Sequence, residues 1–487
     1  MQSRGSNFKG WWFTAVTLVV ALVAPAPVVA AMPAESVVVL GGSSAAAAAA
    51  VHDAGGTVTR ELSVVSGVAA RVSAPAAAAL ARRADVQVTP DIRMRVLSKE
   101  FAANSASDPS PQVAAMNPGR RWNPEAGDGV GVALIDTGVA RVPGLADKVV
   151  RGANFSDEGD GTDRYGHGTF MAGLIAGDGI GVAPAATVVS VKVAGRDGST
   201  SLGQVLAGIG WVIEHAEDHD IRVINLSLGV DMPMAWRADP LSAAVEAAWA
   251  SGITVVTSSG NDGRGNVTAP GRDPWVLTVG ASDTHSTAST ADDTVASFSG
   301  SSARGWFVKP EVVAPGIDIV SLRAPGSTLD TTYPAARIGK DQFRGSGTSM
   351  STALTAGAAA VVLWGHPEAT PDDVKGALAS SAAGSINAVD VGAALDAEAQ
   401  ESWWQSLPVA DGLDRPGFGP RDRMPWAGTR WSGTRWSGTR WSGTRWSGTR
   451  WSGTRWSGTR WSGTRWSGTR WSGTRWSGTR WSASEWG

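Results

Sequence analysis

From residue 128 onward, fully apolar runs alternate with segments of helical spacing. Val130 to Ile135 is a continuous apolar run, and Thr187 to Val193 is a second. Leu202 to Glu217 carries apolar residues at helical spacing and leads into the buried-strand pattern Arg222-Val223-Ile224-Asn225-Leu226. Leu241 to Ala250 reads as a helix, Ile253 to Thr257 and Trp275 to Val279 as strands, and Thr348 to Leu363 as a long helix of small residues. Thr370-Pro371-Asp372-Asp373 offers a side-chain cap with proline at the first helical position, and starts another helix. Strands apolar on both faces, alternating with helices, predict an α/β fold over 128–399: a mostly parallel sheet covered by helices on both sides. Ligands of such sheets gather at the C-terminal strand ends, and Asp136 lies one residue past one of them.

The pattern before this stretch is different. Ser36 to Leu40, Thr57 to Leu62, Gly67 to Val72 and Val86 to Val88 read as short strands. The Ala-rich run Ser43 to Ala54, stopped by Gly55-Gly56, and Ala76 to Ala84 after Pro75 read as helices. The order β-α-β-β-α-β predicts a small ferredoxin-like α+β unit over 35–98. Residues 99–127 are polar and contain four prolines, so they read as a linker whose end docks through Trp122. Residues 400–425 read as a second linker. Over 426–487 the chain repeats Trp-Ser-Gly-Thr-Arg eleven times, with Ala427 in the first copy. A period of five matches neither 3.6 nor 2, so the tail is no amphipathic helix.

A length of 487 residues predicts two or three folded units. The net charge of −2 gives no global bias toward nucleic acid or membrane surfaces, but it hides an asymmetry. Residues 426–487 hold eleven Arg and one Glu, a net +10, which leaves −12 for residues 1–425. With no cysteine, disulfides, zinc–thiolate sites and a cysteine nucleophile are excluded. Arg4 and Lys9 precede the apolar run Trp11 to Ala24, which is short for a membrane span. Pro25 and Pro27 break it before Val28-Val29-Ala30-Ala31, so residues 1–31 read as a cleaved signal peptide, with an uncleaved anchor as the alternative.

Four glycine-flanked turns carry candidate chemistry. Asp136 lies in Asp136-Thr137-Gly138, His167 between Gly166 and Gly168, and Ser349 in Gly345-Ser346-Gly347-Thr348-Ser349-Met350. Asn261 lies in Ser258-Ser259-Gly260-Asn261, directly after a strand. A serine at a helix N-terminus has free N–H groups and the positive end of the dipole beside it, and an Asn amide can donate to an oxyanion. Taken singly, each has a bland reading: a turn Asp, a loop His, a helix-capping Ser and a turn Asn. Together they supply an acid, a base, a nucleophile and an oxyanion donor for acyl transfer.

In these motifs the chain resembles the subtilisin-like serine proteases, the subtilase family. The matching segments are Ala133-Leu134-Ile135-Asp136-Thr137-Gly138-Val139, Gly166-His167-Gly168-Thr169, Val223 to Gly229, Ser259-Gly260-Asn261, Val313 to Gly316 and Gly347-Thr348-Ser349-Met350. The order Asp, His, Ser is the subtilisin one. The resemblance implies a secreted, self-processing serine endopeptidase acting on polypeptides. It implies Asp136 as orienting acid, His167 as general base, Ser349 as nucleophile and Asn261 as oxyanion donor. Ser227-Leu228-Gly229 would pair with substrate backbone, and Ser258-Ser259-Gly260 would wall the specificity pocket. The 35–98 unit resembles an inhibitory propeptide. Phe170 and Ser351-Thr352-Ala353-Leu354 depart from the family pattern, which commonly has His at the first and Pro-His at the end of the second.

The chemistry needs no cofactor. Asp157, Glu158, Asp160 and Asp163 make an acidic loop that can bind structural calcium or simply be solvated. The Trp/Arg tail can hold a cell-wall or surface partner through many weak contacts, pack on itself as a repetitive β structure, or serve as a low-complexity spacer. Nucleic acid is not an expected partner of an exported chain. The rival from another class is a non-catalytic surface binder in which the tail does the work.

Overall fold

The computed structural model describes residues 34–101, 110–116, 123–232, 234–302 and 308–397, and the backbone of three-residue strands between 426 and 483. The expectations for 1–31, Trp122 and 400–425 lie outside the described residues.

The N-terminal unit comprises β1 (Ala34–Leu40), α1 (Ser44–Asp53), β2 (Thr57–Leu62), β3 (Gly67–Ser73), α2 (Ala74–Leu80) and β4 (Gln87–Pro90). Its antiparallel sheet has the order β2-β3-β1-β4, the ferredoxin-like order expected from the sequence. Ser43 and Ser73 cap the two helices through their hydroxyls. Alternation within β1 splits the unit's burial. Val37 and Val39 pack against Ala47, Val51 and Leu80, while Val38 and Leu40 face the larger body.

After β5 (Arg93–Val96) and α3 (Ser110–Ala114) come β6 (Gly131–Asp136), β7 (Val149–Asn154), α4 (His167–Ala176), β8 (Thr187–Lys192), β9 (Ser199–Ser201) and α5 (Leu202–Glu214). Then follow β10 (Ile221–Leu226), β11 (Leu228–Gly229), α6 (Pro240–Ala250), β12 (Thr254–Ser258), β13 (Leu277–Asp283), β14 (Thr294–Val295), β15 (Val312–Pro315) and β16 (Ile319–Leu322). The last elements before the tail are α7 (Thr328–Thr332), β17 (Arg337–Ile338), β18 (Gln342–Gly345), α8 (Thr348–Gly365), α9 (Pro371–Ser380) and α10 (Val391–Asp396). The main sheet has the order β14-β13-β12-β10-β6-β8-β7, with β15 also on β13. Every pair is parallel except β13–β14.

Both faces of this sheet are covered. In β6, Val132 and Leu134 join the core formed with α4 and α8, while Ala133 and Ile135 join the core formed with α5 and α6. That is why β6 reads as an unbroken apolar run. The chain builds outward from β6 to β8 and β7, then crosses to β10 and builds the other way. The crevice of the sheet therefore opens at the C-terminal ends of β6 and β10. Helix α8 is buried from Thr348 through Leu363, which its small side chains permit. Thr352 and Thr355 satisfy their hydroxyls on the Thr348 and Ser351 carbonyls one turn back. Thr370 and Asp373 form the capping box of α9.

Two expectations change. The helix expected to reach Glu217 ends at Glu214. The 99–127 stretch is not all linker: Gln112 bonds both backbone groups of Val320 at 2.7 and 2.9 Å, and Met116 is fully buried in the core.

In the tail, strands run from each Trp between 426 and 481 to the following Gly, or Ala483 in the last, and pair parallel with strands offset by twenty residues. Trp426, Trp446 and Trp466 are thus register partners, and four three-stranded sheets result. Four pentapeptides fill each offset, so a sequence period of five returns Trp opposite Trp, Ser opposite Ser and Gly opposite Gly in the strands, except at Ala427 and Ala483.

Candidate active site

Asp136 is the last residue of β6, in the crevice. His167 opens α4 after Gly166, whose φ of +109° only glycine adopts readily. His167 Nδ1 lies 2.8 and 2.9 Å from the two Asp136 carboxylate oxygens, and both side chains are fully buried. A carboxylate only accepts, so Nδ1 carries the proton and Nε2 presents its lone pair. Nε2 is buried without a hydrogen-bond partner. The Asp136 carboxylate is also held by the Thr137 N–H at 2.7 Å.

Asp163, read from sequence only as part of an acidic loop, ties these two turns together. It is buried and accepts from Thr137 Oγ1, the Tyr165, Gly166 and Thr169 N–H groups and Thr169 Oγ1 at 2.6–3.1 Å. Burial pushes its pKa up, against the pull of the Thr169, Gly166 and Thr137 donors. Thr137 Oγ1 in turn accepts from the Gly168 N–H at 2.9 Å. A Cβ at Gly168 would overlap the Gly138 carbonyl, so only glycine lets the turns approach.

The rest of the acidic loop does not present a calcium cage. Glu158 pairs with Lys192 at 3.0 Å, and its pKa is lowered: the Lys192 hydrogen bond and charge outweigh the larger single effect of partial burial. Asp160 makes a two-point pair with Arg164 at 2.9 Å, which lowers its pKa to about 2. Among the described residues no group of three or more His, Asp or Glu is placed to hold a metal.

Ser349 is the second residue of α8, behind Gly347 with φ of +153°. Its hydroxyl donates to the Leu97 carbonyl, and lies 3.2 Å from the Ser227 carbonyl. With that hydroxyl engaged, His167 and Ser349 share no hydrogen bond in this state. Asn261 Oδ1 accepts from the Thr348 N–H and hydroxyl, both at 3.0 Å. This fixes the amide with Nδ2 buried and unpartnered. Thr348 is therefore an orienting residue that the motif contains but sequence reasoning passed over.

The structure places Ser227, Leu228 and Gly229 along one side of a chain segment lying in the crevice. That segment is β5 and its continuation. Val96 pairs with Leu228 and Arg95 with Gly229, antiparallel, and the Leu97 N–H donates to the Ser227 carbonyl at 3.1 Å. On the other side Met94 pairs with Thr200 and Arg95 with Ser199 in β9. β5 is thus the middle strand of a three-stranded sheet. A Cβ at Gly229 would sit 2.9 Å from Leu97 Cδ1, so the Leu97 side chain packs directly on that glycine. Ser258, Ser259 and Gly260 follow at the end of β12, all buried. Thr268, missed from sequence, packs between Gly229 and Gly260.

The N-terminal sheet sits over α5 and α6, with Val38, Leu40, Leu62 and Ala69 in one core with Val205, Leu206 and Ala244. Asp91 accepts from the Gly203 N–H at 2.8 Å, placing a carboxylate at the positive end of α5.

The model of the subtilase family, Peptidase_S8, matches residues 127–406, more than half of the chain. The chain belongs to the subtilase family. Serine protease AprX of Bacillus subtilis strain 168 is 38% identical over 306 residues, covering 58% of this chain and 68% of that protein. Subtilisin Savinase of Lederbergia lenta is 37% identical over 247 residues, 50% of this chain and 78% of its own. In the crystal structure of fervidolysin from Fervidobacterium pennivorans the same fold recurs, with a TM-score of 0.61 and 23% identity over 76% of this chain and 62% of that one. The protein is a subtilisin-like serine endopeptidase. Its two departures from the subtilase pattern both end in buried packing. Phe170 is 1% exposed and contacts Phe101, and Leu354 is fully buried in α8. Among the described residues no helix is long and apolar enough to cross a membrane.

Proposed function

We propose that this subtilase is a self-processing zymogen that cuts its own chain first between Leu97 and Ser98. The observation that carries the reading is the Ser349 hydroxyl on the Leu97 carbonyl, at the end of a strand paired on both edges through Arg95 and on the Ser227–Gly229 edge up to Leu97. This is strand addition, the way a substrate enters such a cleft. Beyond the bond, the Lys99 and Glu100 N–H groups both donate to the Ser346 carbonyl, at 2.9 and 3.2 Å, so the chain is gripped on both sides of it.

In this reading Asp136 holds His167, whose free Nε2 takes the Ser349 proton. Ser349 Oγ attacks the Leu97 carbonyl carbon, and the oxyanion is met by Asn261 Nδ2 and the Ser349 N–H at the start of α8. The same proton passes to the Ser98 nitrogen as the bond breaks, and water hydrolyses the acyl-enzyme. The cut separates the ferredoxin-like unit from the peptidase, while β5 keeps the cleft filled until it leaves. Mass spectrometry of the processed protein should find Ser98 as the new N-terminus. A terminus elsewhere, in a preparation free of other proteases, would remove the register argument.

Asn261→Ala should lower kcat on peptides by about 10²–10³-fold, with KM nearly unchanged, because the lost donor acts on the oxyanion and not on the bound ground state. A change confined to KM would assign Asn261 to binding.

For the protein's destination we propose export, from the 1–31 pattern, and retention at the cell surface by the tail. A register of like residues and eleven Arg give many identical weak contacts, which suit a repetitive anionic or glycan surface. Deleting 426–487 should move the protein from cells to medium and leave small-peptide hydrolysis intact. Equal retention of both forms would discard the tail's role.

A further inference from the structure

Phe101 stands four residues past the proposed cut and is the end of the gripped segment. Although it arrives on the same extended strand as the scissile bond, it is only 7% exposed. Its ring sits among three aromatic rings of the peptidase body. Phe170 meets it edge-on at 6.2 Å and 79°, Tyr333 lies at 5.7 Å, and Phe343 at 5.5 Å. Gly345 forms the floor, since a Cβ there would come within 2.7 Å of the Phe101 ring. Tyr333 is 41% exposed, so one wall of the pocket reaches solvent.

The backbone beside the pocket is equally suited to an incoming peptide. Glu100 bridges antiparallel to Ser346, donating to its carbonyl at 3.2 Å and accepting from its N–H at 2.8 Å. These bonds use main-chain groups only, so any extended peptide can make them, and the side chain entering the aromatic pocket is what the site can read. The departure at Phe170 from the family's usual polar residue gives the pocket its edge-on wall.

We propose that Phe170, Tyr333 and Phe343 form a subsite on the leaving-group side of the cleft for an aromatic side chain four residues after the cut, occupied in cis by Phe101. This rests on the protease reading and on the cut at Leu97–Ser98. Cleavage there frees Ser98 but leaves Phe101 in the same chain as Gln112 and Met116, with eight residues, 102–109, between it and Ser110. Gln112 and Met116 are anchored in the core. The new N-terminal segment therefore remains a tethered competitor for the pocket, at high effective concentration.

The test uses full-length precursor allowed to process, and two internally quenched peptides. One carries residues 93–101, Arg-Met-Arg-Val-Leu-Ser-Lys-Glu-Phe, and the other has Ala in place of the final Phe. In processed Phe101→Ala, the Phe peptide should show kcat/KM higher by about two- to twelve-fold, the worth of one ring pair. In the unsubstituted enzyme the ratio should shrink toward one, because Phe101 already fills the site. Phe101→Leu, which keeps most of the volume, serves if the alanine variant does not fold, and should show an intermediate ratio. Adding Tyr333→Ala, at the exposed wall, should reduce the ratio again. Equal hydrolysis of both peptides by Phe101→Ala or Phe101→Leu, with processing at Leu97–Ser98 intact, would overturn the subsite while leaving the protease reading standing. An uncut precursor that hydrolyses neither peptide would overturn the protease reading, and the subsite with it.

Discussion

Ser349→Ala leaves the precursor uncut at Leu97–Ser98 and lowers peptide hydrolysis on the order of 10⁶-fold, the size of loss when the nucleophile of such a triad is removed. The fold should survive. Ser349 is a small residue in the first turn of α8, and its replacement removes only a hydroxyl bonded to two carbonyls. With the cut blocked, the N-terminal unit stays covalently attached, and a single band of precursor mass should persist on prolonged incubation. A pure Ser349→Ala preparation that still yields Ser98 as N-terminus would sink the assignment. Loss of a fluorophosphonate label in the same variant separates an enzyme from a scaffold that merely displays the tail.

Asp136→Asn should cost about 10⁴-fold in kcat with the structure retained. The physical reason lies in the paired contacts of the carboxylate. Both of its oxygens accept from His167 Nδ1, and one also accepts from the Thr137 N–H. An amide placed there can turn its NH₂ toward Nδ1, which then accepts and leaves the proton on Nε2. The base would face Ser349 in the wrong tautomer. Thermal unfolding should change little compared with the loss of turnover. A variant with near-normal kcat would mean that His167 is held by its α4 position and the Asp163 network alone.

Much of this site is legible in the sequence because its parts are local. Gly166 and Gly347 take positive φ that few other residues adopt, Gly168 allows a close backbone approach, and each has one reactive side chain nearby. The strands that end at Asp136 and just before Ser227 are apolar on both faces, a pattern that already specifies a covered parallel sheet. Thr370 and Asp373 signal their helix start within four residues.

What was not legible depends on residues far apart in the chain. Asp163 looked like one more acid in a polar loop; four of its five donors, at Tyr165, Gly166 and Thr169, are local, but the fifth, Thr137 Oγ1, comes from a turn 26 residues earlier that only folding brings to it. The acidic loop left calcium and plain solvation open as alternatives, and nothing in it signalled that Lys192, on β8, and Arg164 pair with Glu158 and Asp160. Residues 110–116 looked like linker because burial of Gln112 requires the Val320 backbone as partner. β5 carries no strand signal strong enough to stand alone. It is a strand because β9 and β11 flank it.

By itself, then, the chain determined the reaction type and the fold: the residue kinds, their order, and the glycine turns that expose them are local properties written in short segments. Only the tertiary structure decided which bond is presented, how the tail's repeats register at an offset of twenty residues, and that Phe101 enters an aromatic pocket built from three distant elements. Those outcomes are set by pairings between segments up to 252 residues apart, as between Ser349 and Leu97. No periodicity or motif encodes such a pairing, because the free energy that selects it comes from complementary surfaces that exist only once both segments have folded.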